Sequence, residues 1–406
     1  MSNFYAPAWG FGGPVRVLHD YAHWLDGWAE VQIATTDLNH DYRRLRQAHY
    51  SCDPGTVRRH RLILPRLGRR AVYLVPPTLL LDVATRIGRW RGPAVLHTCD
   101  VRGILPLYAI ALKRTFGHRL LHIHSAFGML HEKPSPWRKL YDAGFGRAFF
   151  RAVDVGLAQN AHEERVYCTA AHRWNAACRV EVLPLHAAYP DPSHFLEERK
   201  RPAIRAGMRQ KYGIPGDAAV FVFVGRFHEA KGIGRLIDAY SEFKRRRAGS
   251  SVLLIVGRDH GYEREMSAKI AASGVADSIR VLRDIYDERF ELYYLADAFV
   301  GFPTIFEETM LAAVEALASG TPPIVSEEAD MPGVAEAAAG YVLRFRIDDV
   351  VDAMANVVED AAGYGQRARR LAVQRFAPGS VAANLRWIIH AGLAAVGEQP
   401  THRASL

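Results

Sequence analysis

The stretch "AVFVFVGRFHEAKGIGRLIDAY", Ala219–Tyr240, places a strand, a polar loop and a helix in direct succession. Its first six residues are all apolar, which is typical of a strand that is buried on both faces. Gly225 and Arg226 end that strand, and apolar residues then recur at helical spacing from Ile233 onward. A buried strand followed at once by an amphipathic helix predicts a parallel sheet covered by helices.

The same alternation of strand and helix recurs along the 406-residue chain. The other runs that we interpret as strands are EVQIATT, AVLHT, RLLHIH, DVGLAQ, SVLLIVG, IRVL, DAFVGF and PPIVS. A chain of this length usually exceeds what one hydrophobic core supports. We therefore predict an α/β protein with two doubly wound, Rossmann-like domains that face a central cleft, with ligands at the carboxyl ends of the strands.

A proline-rich interval between Leu183 and Asp217 interrupts this pattern. Such an interval is typical of a domain boundary. We place an N-terminal domain at residues 1–185 and a second domain at residues 186–375. The first strand should be short or clipped, because only Phe4 and Tyr5 are available to form it.

The cysteine content and the hydropathy pattern indicate a cytoplasmic protein. The four cysteines form no C-x-x-C pair, so we interpret them as free thiols and expect neither a disulfide nor a zinc site; they are Cys52, Cys99, Cys168 and Cys178. We find no signal peptide and no run of about 18 apolar residues that could span a membrane.

The positive charge is concentrated in the first half of the chain. From Met1 to Leu185, 25 Lys and Arg stand against 14 Asp and Glu, a net charge of +11. The remaining residues carry 27 against 29, a net charge of −2. A nucleic acid, an anionic membrane or a phosphorylated substrate could each account for such an excess.

An anionic membrane surface is the partner that we favour for this charge. The interval Pro65–Trp90 interleaves five arginines with leucines, Tyr73 and Trp90, which predicts peripheral contact with the inner face of the cell membrane. A solvated basic face is the alternative. We expect no nucleic acid, because the basic run Lys244–Arg247 ends a helix in the other half and no zinc or RNA-binding motif accompanies it.

Two glutamates flank the start of a predicted helix in "FPTIFEETMLAAVEALASGTPPIVS", Phe302–Ser326. Thr309 is an acceptable N-cap, which places Glu307 on the loop before the helix and Glu315 two turns inside it. The helix N-terminus attracts phosphate. A nucleotide sugar at this position would offer sugar hydroxyls to Glu307 and ribose hydroxyls to Glu315. The alternative is that both glutamates are surface charges.

Two further loops carry residues suited to a phosphate. Arg226 and Lys231 follow the strand that begins at Ala219, where they could bind a pyrophosphate or could simply be exposed cations. Gly12 and Gly13 precede Pro14 at the start of a helix. They allow close approach of a ligand to the backbone, with a plain tight turn as the alternative.

His122 and His124 share one face of a predicted strand, because side chains alternate along a strand. A metal pair would need a third ligand, and none is evident nearby in the sequence. A histidine that donates to a substrate hydroxyl and a hydrogen-bonded core histidine are the two remaining interpretations.

These motifs occur in the order seen in the large family of retaining glycosyltransferases with the GT-B fold, called glycosyltransferase group 1, which the chain resembles over nearly its whole length. The matching positions are Gly12, Gly13, Arg16, His124, Gly225, Arg226, Lys231, Gly232, Glu307, Glu315 and the tail EALASG. The resemblance implies that Arg226 and Lys231 bind the donor pyrophosphate and that Glu315 binds the ribose. It implies that His124 and Glu307 are catalytic residues facing the transferred sugar, and that the glycine pair lies near the phosphate and the acceptor.

The chain departs from the family's pattern directly after the first glutamate. Glu308, Thr309 and Met310 stand where the family has Gly-Phe-Gly, and the resemblance implies that the backbone there and at Leu311 binds the donor. Ser125 replaces the usual glycine after the histidine. The segment "LRWIIHAGL" resembles the family's helix that crosses back to the first domain, which places that helix and a tail in residues 376–406.

The resemblance implies a retaining hexosyltransferase that needs neither a cofactor nor a metal, and the chain has no D-x-D triplet that could hold one. The donor would be a UDP- or GDP-sugar, and the acceptor a glycan or a lipid-linked molecule in polysaccharide or glycoconjugate biosynthesis. Two alternatives on the same fold remain. One is a catalytically weak binding protein, which the departures favour, and the other is a sugar-nucleotide epimerase that works without an acceptor.

Overall fold

The chain divides into two compact units in a computed structural model that describes residues 1–39, 43–46, 56–63, 74–130, 135–187, 200–285, 288–307 and 309–397. Unit 1 comprises Met1–Pro184 and Gly379–Leu406, and unit 2 comprises Leu185–Pro378. Sequence analysis placed the boundary between residues 185 and 186. Cys52 and three of the five arginines in Pro65–Trp90 lie outside the described residues; the arginines are Arg66, Arg69 and Arg70.

Unit 2 is a six-stranded parallel sheet with helices on both faces. Its strand order, β12-β11-β10-β7-β8-β9, is that of a doubly wound Rossmann sheet. The strands are β7 Ala219–Val224, β8 Ser251–Gly257, β9 Ile279–Arg283, β10 Ala298–Gly301, β11 Pro323–Ser326 and β12 Tyr341–Leu343. The helices are α7 Arg201–Lys211, α8 Ile233–Arg246, α9 Glu263–Ala272, α10 Arg289–Leu295, α11 Leu311–Ala318, α12 Ile347–Glu359 and α13 Ala361–Arg375.

The packing of β7 explains why its sequence is apolar throughout. Val220 and Val222 pack into the cluster on one face of the sheet, whereas Phe221 and Phe223 pack into the cluster on the other face, with α8. Because side chains alternate along a strand and both faces are covered, every position must be apolar. The predicted strand and helix in this stretch are confirmed.

Unit 1 is also built of parallel strands and helices. Its strands are β1 Ile33–Thr36, β2 Val57–His60, β3 Ala94–Thr98, β4 Leu120–Ser125, β5 Val155–Ala158 and β6 Arg179–Val182. Its helices are α1 Gly13–Leu25, α2 Pro77–Arg89, α3 Ile104–Phe116, α4 Pro136–Tyr141, α5 Arg147–Ala152, α6 Ala161–Arg173 and α14 Pro378–Gly397, which begins at the last residue of unit 2. A π-helical turn, Asp142–Gly146, joins α4 to α5.

The described strands of unit 1 form a two-stranded sheet, β1-β2, and a four-stranded sheet, β3-β4-β5-β6. The first two residues contact both: the Ser2 N–H donates to Ala34 O of β1 at 3.2 Å, and the Met1 amine donates to His97 O of β3 at 2.7 Å. Among the described residues no strand precedes β1.

The C-terminal helix α14 packs on unit 1. The Arg386 guanidinium donates to Trp24 O at 2.5 Å. Gly392 lies so near Leu121 that an added Cβ would come within 2.8 Å of its methyl group. All seven tryptophans of the chain lie in unit 1, including Trp387 of α14.

The nine strands predicted from sequence are all present in the structure, and the prediction of two Rossmann-like α/β domains is confirmed. Sequence analysis missed β2, β6 and β12. Each lies at an end of its sheet. Strands at an edge are short and carry charge, as in "VRRH" and "RVEV", so they lack the apolar signal of the central strands.

Candidate active site

The candidate site of unit 2 lies where the strand order reverses, between β7 and β10. These strands are adjacent and parallel. From β7 the chain continues to β8 on one side, and from β10 it continues to β11 on the other side, so the two connections lead toward opposite edges of the sheet. Ligands of doubly wound sheets bind at the carboxyl ends of the strands at this point. The loop after β7 carries Arg226 and Lys231, and the loop after β10 carries Glu307.

Gly232 brings these two loops together. Its backbone is left-handed, with φ of 66°, and a Cβ added there would lie 1.7 Å from Phe302 O. The Thr304 N–H donates to Ala230 O across the same contact at 2.9 Å. Only glycine permits both the conformation and the approach.

The contact places two predicted site residues in an ion pair. Lys231 Nζ lies 2.5 Å from Glu307 Oε1, and both side chains are half-buried. Arg226 is exposed and makes no ion pair within the described part of the chain. The loops therefore present one paired and one unpaired cation beside a carboxylate.

The start of α11 differs from the prediction. Thr309 is not the N-cap, because α11 begins at Leu311 and Met310 occupies the capping position without a side-chain cap. Thr309 instead has a left-handed backbone with φ of 50°, which is unfavourable for a β-branched residue. Glu308 lies outside the described residues.

Two backbone amides before α11 are bonded within unit 2. The Glu307 N–H donates to Glu328 O at 2.7 Å, and the Met310 N–H donates to Ala329 O at 3.1 Å. Both acceptors belong to the loop after β11. A donor phosphate would therefore have to bind other amides of this turn or displace that loop.

Glu315 is buried within α11. Its Oε2 accepts from the Tyr293 hydroxyl at 3.0 Å, and its Oε1 lies 3.4 Å from Arg289 Nη2. A buried carboxylate is costly unless it is paired in this way. The alternative that Glu315 is a surface charge is therefore wrong.

His124 of unit 1 is fully buried at the carboxyl end of β4. Its Nδ1 lies 2.8 Å from the Tyr167 hydroxyl, and its Nε2 has no hydrogen-bond partner among the described residues. His122 differs, because its Nε2 bonds Thr98 Oγ1 and its Nδ1 bonds Ala152 O, each at 2.8 Å. His122 is thus a satisfied core histidine, whereas the buried His124 has one ring nitrogen that meets no hydrogen-bond geometry within the described residues.

Burial keeps these imidazoles neutral. Desolvation lowers the pKa of His124 well below its ordinary value, and the neighbouring His122 and His97 lower it further, whereas an interaction with the Asp100 backbone raises it. Desolvation also lowers the pKa of His122 to about 4 and that of His97 to about 3. At neutral pH, Nε2 of His124 can donate or accept a hydrogen bond, depending on its tautomer.

Tyr167, which sequence analysis missed, orients His124. Its ring packs against Gly156 of β5, where an added Cβ would lie 2.6 Å away. A glycine inside an apolar strand marks a close approach of another group, so the glycine in "DVGLAQ" could have indicated that a large side chain packs there.

Sequence analysis also missed Arg289 and Tyr293. They lie in a helix without a motif, and nothing in the sequence pairs them with Glu315.

The predicted glycine pair lies at the start of α1. Gly12 has a φ of 84°, and the helix begins at Gly13, one residue before the predicted Pro14. The Arg16 guanidinium lies 5.0 Å from the Trp9 ring centre.

None of the helices in the described part of the chain is long and apolar enough to cross a membrane. No group of three or more His, Cys, Asp and Glu side chains in the same residues could hold a metal ion.

Known proteins similar to this chain match it over less than half of its length. The D-inositol 3-phosphate glycosyltransferase of Nocardia farcinica is 30% identical over 196 residues, which cover 47% of this chain and 42% of that protein. Mannosylfructose-phosphate synthase of Agrobacterium fabrum is 30% identical over 131 residues, covering 30% of this chain and 28% of that protein. The chain thus spans less than half the length of either relative.

Solved structures resemble the chain over nearly its full length. Alr3699/HepE of Anabaena in complex with UDP-glucose has a TM-score of 0.68 at 14% identity, covering 94% of this chain and 97% of that one. Sucrose-phosphate synthase of Thermosynechococcus elongatus has a TM-score of 0.68 at 18% identity, covering 95% and 94%. At such identities the likeness concerns the fold.

A family model identifies the unit that contains Lys231, Glu307 and Glu315. Residues 205–372 match the model described as glycosyl transferases group 1. These residues therefore form a domain of the group 1 glycosyltransferase family, as the resemblance implied.

Proposed function

We propose that the chain is a retaining glycosyltransferase that moves a hexose from a nucleotide sugar to a glycan or lipid-linked acceptor in polysaccharide or glycoconjugate biosynthesis. The observation that carries this proposal is the pairing of Lys231 with Glu307 at the strand reversal of a group 1 domain. A cation for the donor phosphates and a carboxylate for its sugar lie within one ion pair, so one ligand can engage both.

The donor would lie along the carboxyl ends of β7 and β10. Arg226 and Lys231 would bind its diphosphate, Glu307 its sugar hydroxyls and Glu315 its ribose hydroxyls. The crystal structure of the Anabaena protein with UDP-glucose supports a UDP-sugar as the first donor to test, with a GDP-sugar as the second.

Donor binding would exchange the partners of Lys231. In the structure its ammonium neutralises Glu307. A diphosphate beside Arg226 would attract that ammonium and release the carboxylate for the sugar. As the bond to the sugar breaks, negative charge grows on the departing phosphate, and preorganised cations stabilise that charge most strongly in the transition state.

The proton of the acceptor hydroxyl needs no separate protein base in this scheme. The departing phosphate oxygen lies on the face of the sugar that the acceptor attacks and can take the proton. The Nε2 of His124 would bond a hydroxyl of the transferred sugar, with Tyr167 holding the ring.

A second candidate function is binding of a sugar nucleotide without transfer. The strained Thr309 and the bonded amides of Glu307 and Met310 favour it, because they alter the turn that would contact the donor. Turnover of any donor distinguishes this candidate from the first. An epimerase on the same fold differs from both, because it would convert the donor and release its product without an acceptor.

Replacing Glu315 by Gln and Lys231 by Ala, in separate variants, should each weaken nucleotide binding by about tenfold or more, because each removes a charged hydrogen-bond partner. A melting-temperature screen with UDP-, GDP- and ADP-sugars first identifies the donor, since a ligand raises apparent stability. Calorimetry with the cognate nucleotide then gives the dissociation constants.

The matched control is Lys269→Ala, which breaks another lysine ion pair of unit 2, with Asp238 at 2.8 Å. Its affinity for the nucleotide should equal that of the unmodified protein. Unchanged affinity in both Glu315→Gln and Lys231→Ala would refute the assignment of the donor site.

A further inference from the structure

A short helical segment of unit 1 exposes large apolar side chains. In α4 and the π-helical turn that follows it, Trp137 is 66% exposed, Leu140 is 64% exposed and Phe145 is 43% exposed. Soluble surfaces carry single exposed apolar residues without consequence, but neighbouring ones in one short segment mark a contact surface. We call these three residues with the exposed Lys139 and Arg147 the α4 face.

Hydrogen bonds of Tyr141 and Asp142 fix this segment to the loop after β3. Two guanidinium nitrogens of Arg102 donate to the Asp142 carboxylate, at 2.7 and 2.9 Å, and the third donates to Met129 O at 3.0 Å. The Tyr141 hydroxyl donates to Gly103 O at 2.7 Å. These bonds hold the segment against that loop, while the Trp137 and Leu140 side chains stay exposed.

The charge of the α4 face is positive. Lys139 and Arg147 are exposed and make no ion pair with any residue that the structure describes. The acidic side chain within the segment, Asp142, is neutralised by Arg102. Basic side chains beside Trp, Phe and Leu are typical of helices that lie in the interface of an anionic bilayer.

The α4 face belongs to the same edge of the sheet as His124. Strands β3 and β4 are adjacent and parallel, so their carboxyl ends meet at one edge. Arg102 and Gly103, which hold the segment, follow β3 there, and His124 lies near the end of β4.

We propose that the α4 face rests on an anionic lipid bilayer and brings this edge of unit 1 to an acceptor held in the membrane. The lipid contact stands on the α4 face alone, whereas the acceptor rests on the proposed function. The α4 face is distinct from Pro65–Trp90, the interval that the sequence predicted to contact the membrane. Part of that interval lies outside the described residues.

Flotation of the full chain with vesicles tests the lipid contact. Vesicles of phosphatidylcholine with about 30 mol% phosphatidylglycerol should bind the protein, and vesicles of phosphatidylcholine alone should not. Roughly half-molar salt should release it. The double variant Trp137→Ser/Leu140→Ser should bind the anionic vesicles at least about tenfold more weakly.

The control is Leu81→Ser/Trp387→Ser, which removes the same side chains from α2 and α14 of the same unit. Leu81 is 64% exposed and Trp387 is 58% exposed, so the two doubles match in composition and exposure. The control should bind like the unmodified protein. Melting temperatures of both doubles equal to that of the unmodified protein establish that neither disturbs the fold.

Equal binding to both kinds of vesicle, or binding to neither, would overturn the proposal. Loss of binding in the control but not in Trp137→Ser/Leu140→Ser would also overturn it. If no vesicles bind and the protein forms a dimer that only Trp137→Ser/Leu140→Ser dissociates, the face belongs to a second copy of the chain. Donor affinity, measured separately by calorimetry, distinguishes failure of the membrane contact from failure of the proposed function.

Discussion

Replacing Glu307 by Gln is expected to lower kcat by about 100-fold or more while nucleotide affinity stays the same or increases. The proposed sugar contact gives the first part of this expectation, and the ion pair with Lys231 gives the second. Loss of the carboxylate removes a group proposed to contact the sugar in the transition state. It also removes the ion-pair partner of Lys231, so the ammonium is no longer neutralised before the diphosphate arrives.

Kinetics with the cognate donor, together with calorimetry, measure these two effects separately. Glu327→Gln is the control, because Glu327 is an exposed glutamate in the turn after β11. A Glu307→Gln enzyme with unchanged kcat would remove Glu307 from the chemistry. A large loss of nucleotide affinity in the same variant would instead give the carboxylate a binding role.

Mild acid is expected to destabilise unit 1 strongly. The unfolded chain protonates its histidines near pH 6.5, whereas His97, His122 and His124 stay neutral in the folded protein because burial lowers their pKa. The unfolded state therefore binds more protons below that pH, and the free energy of unfolding decreases as the pH falls.

One buried carboxyl opposes this trend. Burial raises the pKa of Asp100 to about 6, so its folded form takes up a proton before its unfolded form does. Three histidines less this one group leave a difference of about two protons, or about 3 kcal/mol for each pH unit between about pH 6 and pH 4.5. His60 and the Met1 amine, whose pKa values burial also lowers, add to this difference in the same direction.

Urea unfolding followed by tryptophan fluorescence reports on unit 1 alone, because unit 2 contains no tryptophan. In His124→Phe the slope of stability against pH should be shallower by about 1.4 kcal/mol per pH unit. Replacement of the exposed His118 by Gln should leave the slope unchanged. A stability that does not vary between pH 7 and pH 5 would contradict the neutral, buried state of these histidines.

The strand reversal was accessible from sequence, because it depends on patterns that central strands display strongly. Arg226, Lys231 and Glu307 each follow a clear apolar run, and parallel strands bring such positions to one edge. Lys231 and Glu307 are 76 residues apart in the chain yet form an ion pair. Topology, rather than local propensity, makes this pairing predictable.

The details of the turn before α11 were not accessible from sequence. Thr309 looked like an N-cap because threonine favours that position. The bonds from Glu307 and Met310 to the loop after β11 fix a different backbone, and tertiary contacts outweighed the local preference. The roles of Arg289 and Tyr293 were not predictable for a related reason, because they depend on Glu315 in another helix.

The stereochemistry of transfer tests the central claim most directly. The donor identified by the melting screen is incubated with the protein, a membrane lipid extract as the acceptor source, and EDTA, and the anomeric linkage of the product is determined by NMR. The account predicts that product forms in EDTA with the anomeric configuration of the donor, and that Lys231→Ala forms far less of it. An inverted linkage, or no transfer from any of the donors, would contradict the account.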